Sequence, residues 1–453
     1  MRTAIIGAGI SGLTTAYYLK QQGCDVVVFE KENRVGGSMV TEQQDGFLID
    51  LGPNSTLETS QVLRDLIDAI GLREQKVYAN ELSNKRFVVR NGQLYALPIS
   101  PPAFLKTKLF SLKAKLQLLK EPFIPKVEAE DISLADYVRY RLGEEFLDYA
   151  INPFVAGVYA GDPENLSAPA GFPKLFNLEQ KYGSFIKGAI KGKRERQKRQ
   201  EVAKDRAKMF SFLSGMQTFA DALAKILAPA IQLQSEVLEV LPAEKGFKLM
   251  IGRGEKEEEH RFERVVVSVP TYVQAKILKA FLKGQQKLLE QVAYPPVAVV
   301  FMGFNRSAVN HPLDGFGFLL PAKEKRQILG SIFSSTIFPG RAPQGKVAFT
   351  TFVGGMRNPD NALKDAEQLK PLVLQDLDNL LGLNEEPVLT RIRRWPRAIP
   401  QYQLGYKSVQ NLYDELEERY SVLYFAGNFR RGISVGDSVL SANETSEKIL
   451  NEK

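Results

Sequence analysis

Three glycines near the start of the chain, in Gly7-Ala8-Gly9-Ile10-Ser11-Gly12, stand at the spacing that brings backbone against a pyrophosphate. At Gly7 and Gly9 a missing Cβ permits a tight turn and a close phosphate, and at Gly12 it permits close helix packing. Farther on, the carboxylate of Glu30 suits the two ribose hydroxyls of an adenosine and repels a 2′-phosphate. Three elements must position these groups. Ala4-Ile5-Ile6 predicts a buried strand, Leu13 to Gln22 a helix closed by Gly23, and Asp25 to Phe29 a second strand ending at Glu30. Strand, turn, helix and strand make a dinucleotide-binding unit that presents the helix N-terminus to the phosphates.

The rest of the chain excludes several chemistries. No second glycine fingerprint follows a later strand, since Gly252-Arg253-Gly254 leads into a charged run, so no separate nicotinamide domain is expected. The single cysteine, Cys24, allows neither a disulfide nor a thiol relay. His260 and His311 are far apart and join no ligand cluster, so no metal is expected. Electrons are therefore expected to enter from an organic substrate and leave to oxygen or another small acceptor. No His, Cys or carboxylate constellation demands a protein base. A formal charge of +8 favours anionic surfaces in general. No apolar run approaches the roughly 18 residues of a membrane span. The early strand leaves no room for a signal or transit peptide, and the chain reads as intracellular.

With 453 residues, about three domains are expected. The fold class expected is α/β: a Rossmann-like dinucleotide domain with an α+β substrate domain and a helical, membrane-associated domain. The first takes residues 1–95, 205–270 and 395–453, the second 271–394 with strands near 80–98, and the third 96–204. Ala103 to Pro122 and Ser133 to Ala150 carry helical spacing. Phe210 to Leu227 predicts a loop plus helix, and Ile231 to Val240, Phe247 to Ile251 and Arg261 to Pro270 predict strands returning to the dinucleotide sheet. Val297 to Phe304 and Lys346 to Val353 predict strands of the substrate domain, and Gly432 to Ser438 opens the last helix. Lys191 to Lys208 carries nine basic and three acidic residues without interleaved aromatics. That pattern fits a solvated helix or an anionic lipid surface better than a nucleic acid, which is not an expected partner.

Lys31-Glu32-Asn33-Arg34-Val35-Gly36-Gly37-Ser38 resembles the R-x-G-G extension of the amine-oxidase and glutathione-reductase-like flavoproteins, which implies FAD rather than NAD. In that superfamily Lys31, Arg34, Gly36, Gly37 and Ser38 would run along the dinucleotide, and Gly52-Pro53-Asn54-Ser55 would form the next flavin-contacting loop. Val237 falls where the backbone meets adenine. Trp395 and Ile433-Ser434-Val435 would complete the cofactor contacts, with a helix N-terminus able to stabilise negative charge on the reduced flavin.

Four later segments resemble the protoporphyrinogen oxidase family. They are Asn152-Pro153-Phe154-Val155-Ala156-Gly157-Val158-Tyr159 through Leu175; Pro312-Leu313-Asp314-Gly315-Phe316-Gly317-Phe318-Leu319-Leu320-Pro321 with Leu329 to Pro343; Trp395-Pro396-Arg397-Ala398-Ile399-Pro400-Gln401-Tyr402; and Ala426-Gly427-Asn428 to Gly436. The resemblance covers nearly the whole chain. It implies a tetrapyrrole substrate, with protoporphyrinogen IX oxidised to protoporphyrin IX in haem biosynthesis. Six electrons would pass in three two-electron flavin cycles to molecular oxygen, giving hydrogen peroxide. Coproporphyrinogen III is the alternative substrate. A flavin amine oxidase is more distant, because Gly427-Asn428 departs from the usual Gly-Glu. By the same resemblance Arg86 pairs with a substrate propionate, Gly157 leaves room for the macrocycle, and Leu320 and Phe338 wall the pyrrole rings. A plainer reading makes Arg86 an exposed strand residue and Leu320 and Phe338 ordinary core. The family also implies a bacterial cytoplasmic enzyme attached peripherally to the inner face of the cell membrane, and a homodimer.

Overall fold

A computed structural model describes residues 1–188, 190–191 and 207–452; residues 192–206 of the basic run lie outside them. Arg2–Ile6 and Asp25–Phe29 pair in parallel, Ala4 against Val27 and Ile6 against Phe29. Helix Ile10–Gln21 connects them. Crossover connections cover both faces of a parallel sheet, so its strands can be apolar throughout. Ala4, Ile5, Ile6 and Val28 are accordingly all buried. Arg264–Val267 and then Leu423–Phe425 extend the sheet on one side and Ile231–Gln232 on the other, all in parallel. Helices Ile10–Gln21, Gln217–Leu227 and Val435–Asn451 share the core on one face. An antiparallel ribbon of Glu236–Pro242, Phe247–Arg253 and Lys256–Phe262 shares the core on the other.

Two stretches read as single returning strands each divide. Only Ile231–Gln232 of the first and Arg264–Val267 of the second join the parallel sheet. Glu236–Pro242 and the residues up to Phe262 belong to the antiparallel ribbon. Apolar content alone does not separate such neighbours. Phe210, read as loop, lies in strand Met209–Phe212.

A second sheet runs in the order Leu389–Trp395, Val297–Asn305, Lys346–Gly354, Ile328–Ile332, Gly317–Leu319, Arg86–Arg90, Gln93–Ala96. Its register places Arg86, Gly317, Ile332 and Thr350 in one cross-strand row. Val88, Leu319, Gly330 and Phe352 form the row two residues along. Residues two apart on a strand share a face, so Arg86, Leu319, Ile332, Thr350 and Phe352 all point one way. Phe87, Phe318, Phe349 and Val353 point the other way, into a core with helix Ala366–Leu381.

Helices Pro101–Lys106, Leu112–Lys120, Leu134–Arg141, Asn152–Tyr159 and Pro173–Tyr182 make up the segment between these sheets. The helix expected over Ser133 to Ala150 breaks at Gly143, whose φ of 90° suits glycine. Arg141 ties the segment together. It is fully buried, pairs with the buried Glu121, lies 3.4 Å from Glu179, and donates to the carbonyls of Ile124 and Pro125 at 2.9 Å each. Among the described residues no helix is long and apolar enough to cross a membrane.

Candidate active site

The glycine turn forms a cradle open on one side. Gly7 has φ of 102°, and a Cβ on Gly12 would lie 2.0 Å from the Gly7 carbonyl oxygen, so both positions need glycine for the chain itself. Gly9 differs: a Cβ there would meet nothing within 4 Å. Gly37 comes up opposite, where a Cβ would lie 3.4 Å from the Gly9 Cα. No side chain caps the N-terminus of helix Ile10–Gln21. The N–H groups of its first turn, from Ile10 and Ser11 to Gly12, are left for an anionic ligand. Glu30 faces the turn, its Oε2 accepting from the Ala8 N–H at 2.8 Å and its Oε1 from the Glu32 N–H at 3.0 Å.

The flanking residues build the cradle wall. Arg34 donates to the carbonyls of Val35, Met39 and Gly37 at 3.0, 3.1 and 2.5 Å, curling Val35 to Met39 around its guanidinium. Gly36 takes φ of 98° and donates to the Ala8 carbonyl at 2.8 Å, which docks this curl on the glycine turn, with Ser38 exposed beside it. Lys31 is also exposed and lies with Gln234, Glu236 and Leu238 along a groove beside the buried Val237. Trp395 donates its indole N–H to the Leu51 carbonyl at 2.8 Å, which pins the loop Gly52-Pro53-Asn54-Ser55. Ile433 leads into Ser434, the N-cap of helix Val435–Asn451, which accepts from the Asp437 N–H at 3.1 Å. An uncapped helix start, an open glycine-walled slot and an acceptor at Glu30 fit the pyrophosphate and ribose of a dinucleotide.

The substrate side is built on the second sheet. Arg86 projects from the face shared with Leu319, Ile332 and Phe352, its guanidinium 5.2 Å from the Phe316 ring centre. Among the described residues no carboxylate lies within ion-pairing distance of it. Its side chain is exposed, as the plainer reading of the sequence has it, while the protein crowding the guanidinium lowers its pKa. It is therefore accessible to an incoming carboxylate, which a guanidinium can grip with two donors. Helix Asn152–Tyr159 lies across this face, and a Cβ on Gly157 would fall 2.2 Å from Leu319 Cδ2. Arg357 sets the spacing, donating to the Leu320 carbonyl at 2.7 Å and to Asn152 Oδ1 at 2.8 Å.

Two residues expected to wall a substrate lie elsewhere. Leu320 is fully buried in the core under helix Ala366–Leu381; Leu319 faces Gly157, because one step along a strand reverses the face. Phe338 is buried with its ring 5.3 Å from the Arg341 guanidinium, beside a small cavity at Asp50. Phe352, half-buried on the Arg86 face, packs with Ala156, Ala160 and Leu329 and was passed over in sequence. The alternation within Lys346 to Val353 was the signal that could have found it. Gly157→Ala should leave FAD content and melting temperature near wild type. The new methyl meets the far end of the Leu319 side chain, which must swing across the sheet face shared with Arg86, so KM should rise severalfold with kcat less affected.

A parallel sheet with a glycine cradle for a dinucleotide, beside a second sheet that presents a guanidinium on an apolar face, fits the architecture of an oxidoreductase with a bound dinucleotide cofactor. The chain belongs to the flavin-containing amine oxidoreductase family, whose sequence profile matches residues 10–450, and FAD is its cofactor. It is 38% identical to a mitochondrial protoporphyrinogen oxidase of Nicotiana tabacum, over 99% of this chain and 94% of that one. It is 29% identical to the coproporphyrinogen III oxidase of Staphylococcus aureus, over 99% of both. A crystal structure from an Exiguobacterium species, provisionally named a protoporphyrinogen oxidase, superposes with a TM-score of 0.82 at 27% identity, covering 100% of this chain and 99% of that one.

Proposed function

We propose that the protein oxidises protoporphyrinogen IX to protoporphyrin IX, with coproporphyrinogen III as the second candidate. The observation that carries this reading is Arg86: an exposed guanidinium without a carboxylate partner among the described residues, on an apolar sheet face shared with Leu319, Ile332 and Phe352. That arrangement suits a flat, apolar ring bearing propionates. The 38% identity to a protoporphyrinogen oxidase, against 29% to a coproporphyrinogen III oxidase, supports the order of the two substrates. Bound FAD supplies the two-electron acceptor, and molecular oxygen takes the electrons onward as hydrogen peroxide. The chain holds the macrocycle by Arg86 at one edge and by Leu319, Ile332 and Phe352 along its face, so catalysis rests chiefly on orientation. The test is to incubate the purified protein with each porphyrinogen in air and follow porphyrin fluorescence and peroxide. Preference for the coproporphyrinogen would replace the substrate; silence on both would remove the reading.

The helical segment, read from sequence as residues 96–204, is the membrane-facing part of this proposal. Ile99, Leu105, Leu112, Leu116, Leu119 and Phe123 are exposed, Phe123 by 85%. Leu112, Leu116 and Leu119 recur at one helical face. Lys106, Lys108, Lys113 and Lys120 surround them, also exposed. Leucines amid lysines suit an anionic bilayer surface. Leu112→Asp/Leu116→Asp should abolish co-sedimentation with anionic vesicles and leave turnover in detergent unchanged; undiminished binding would reject this face. Homodimerisation stays part of the proposal, to be read by light scattering.

A further inference from the structure

Asp50 ends strand Phe47–Asp50, immediately before the loop that carries Asn54, and is 3% exposed. Its two oxygens differ. Oδ1 accepts from the Thr41 hydroxyl at 2.7 Å and from the Met216 N–H at 3.0 Å. Oδ2 stands 3.3 Å from Arg341 and accepts no hydrogen bond among the described residues. Arg341 spends its own donors on Ser211 Oγ at 2.7 Å and the Phe212 carbonyl at 3.3 Å. Beside Asp50 lies a cavity of about 10 Å³, room for about one water molecule. Asp50, Asn54, Ser334 and Thr350 line it, with Ile332 and Phe338 as apolar walls. The hydroxyls of Ser334 and Thr350 are 2.8 Å apart. Thr350 and Ile332 belong to the same cross-strand row as Arg86. The cavity therefore sits between the buried acid and the proposed substrate face.

We infer that Asp50 receives the proton released by the porphyrinogen, through the Ser334 and Thr350 hydroxyls and one water in this cavity. The inference rests on the porphyrinogen reading. In each two-electron step the substrate would give a hydride from a bridging carbon to the bound flavin and release one proton; over the three steps two of these protons come from pyrrole N–H groups and one from the fourth bridge. The proton passes along the hydroxyls and the water to Oδ2, the oxygen with unused accepting capacity. Dioxygen finally leaves with both electrons and both protons as hydrogen peroxide, so each cycle balances. Burial raises the Asp50 pKa above the ordinary carboxylate value, and Arg341 opposes this only in part. Arg341 is the charged group that faces Asp50 among the described residues, since Glu42 on the same hairpin reaches outward to Arg391 at 2.7 Å. A raised pKa means that Asp50 stays protonated, and unable to accept, to a higher pH than an ordinary carboxylate.

The test is anaerobic flavin reduction by protoporphyrinogen IX, followed against pH in the holoenzyme. Wild type should slow on the acid side; Asp50→Asn should reduce about 10²-fold more slowly and lose that limb while keeping its FAD. An infrared carboxyl band that titrates in wild type should be missing from Asp50→Asn. Thr350→Val leaves the Asp50–Arg341 pair in place and should also slow reduction, so it decides the matter if Asp50→Asn fails to fold. Wild-type rates in Thr350→Val, or an unchanged acid limb in Asp50→Asn, would overturn the inference alone. A wild type that oxidises neither porphyrinogen removes the reading beneath it as well.

Discussion

Gly12→Ala should yield a protein that retains less than about a tenth of its FAD and melts below wild type, whereas Gly9→Ala should lose FAD with the apo-protein's melting temperature unchanged. The difference lies in what each Cβ meets. At Gly12 it lies 2.0 Å from the Gly7 carbonyl oxygen, so helix and turn must separate. Overpacking of this kind costs about 1–3 kcal/mol, which distorts the cradle as well as weakening the core. At Gly9 nothing of the protein lies within 4 Å, so the methyl enters only the open slot. There it stands where a pyrophosphate must approach the backbone, and the penalty appears only on binding. Flavin absorbance after gel filtration and the melting temperature of stripped protein separate the two effects. Full flavin in Gly9→Ala would show that the slot is not the phosphate site.

The same contrast explains what sequence could and could not show. The glycine turn, Asp25 to Phe29 and Glu30 are legible because a local backbone demand selects the residue type, and each lies next to its partners in the chain. Val297 to Phe304 and Lys346 to Val353 are legible as strands, but which side chains face the substrate depends on register. Choosing Leu320 over Leu319 reverses the face and moves the side chain from the Arg86 face to the core. Phe338 failed for a related reason: it follows the short helix Ser334–Ile337, where alternation no longer applies. Asp50 and Arg341 were beyond reach. They are distant in sequence, and nothing in either neighbourhood signals a charge buried against its opposite. The divided stretch from Ile231 to Pro242 shows the same limit, one apolar run serving two sheets.

Arg86→Ala should raise KM for protoporphyrinogen IX by about 10- to 100-fold, with FAD content unchanged and kcat within a few-fold of wild type. A hydrogen bond to a charged group contributes about 1.5–3 kcal/mol, and each 1.4 kcal/mol is tenfold in affinity. The loss falls on KM because the propionate contact is made equally in the ground and transition states, remote from the carbon that gives up hydride. Stability should not follow. The Arg86 side chain is exposed and, among the described residues, pairs with no carboxylate, so it contributes little to the fold. Removing it should leave the melting temperature unchanged. Arg86→Lys should recover only part of the KM, since an ammonium cannot grip a carboxylate with two parallel donors. An arginine kept for stability would predict the opposite pattern, a lower melting temperature with unchanged KM. Steady-state kinetics and a thermal melt on the same three proteins therefore distinguish a substrate anchor from a structural charge.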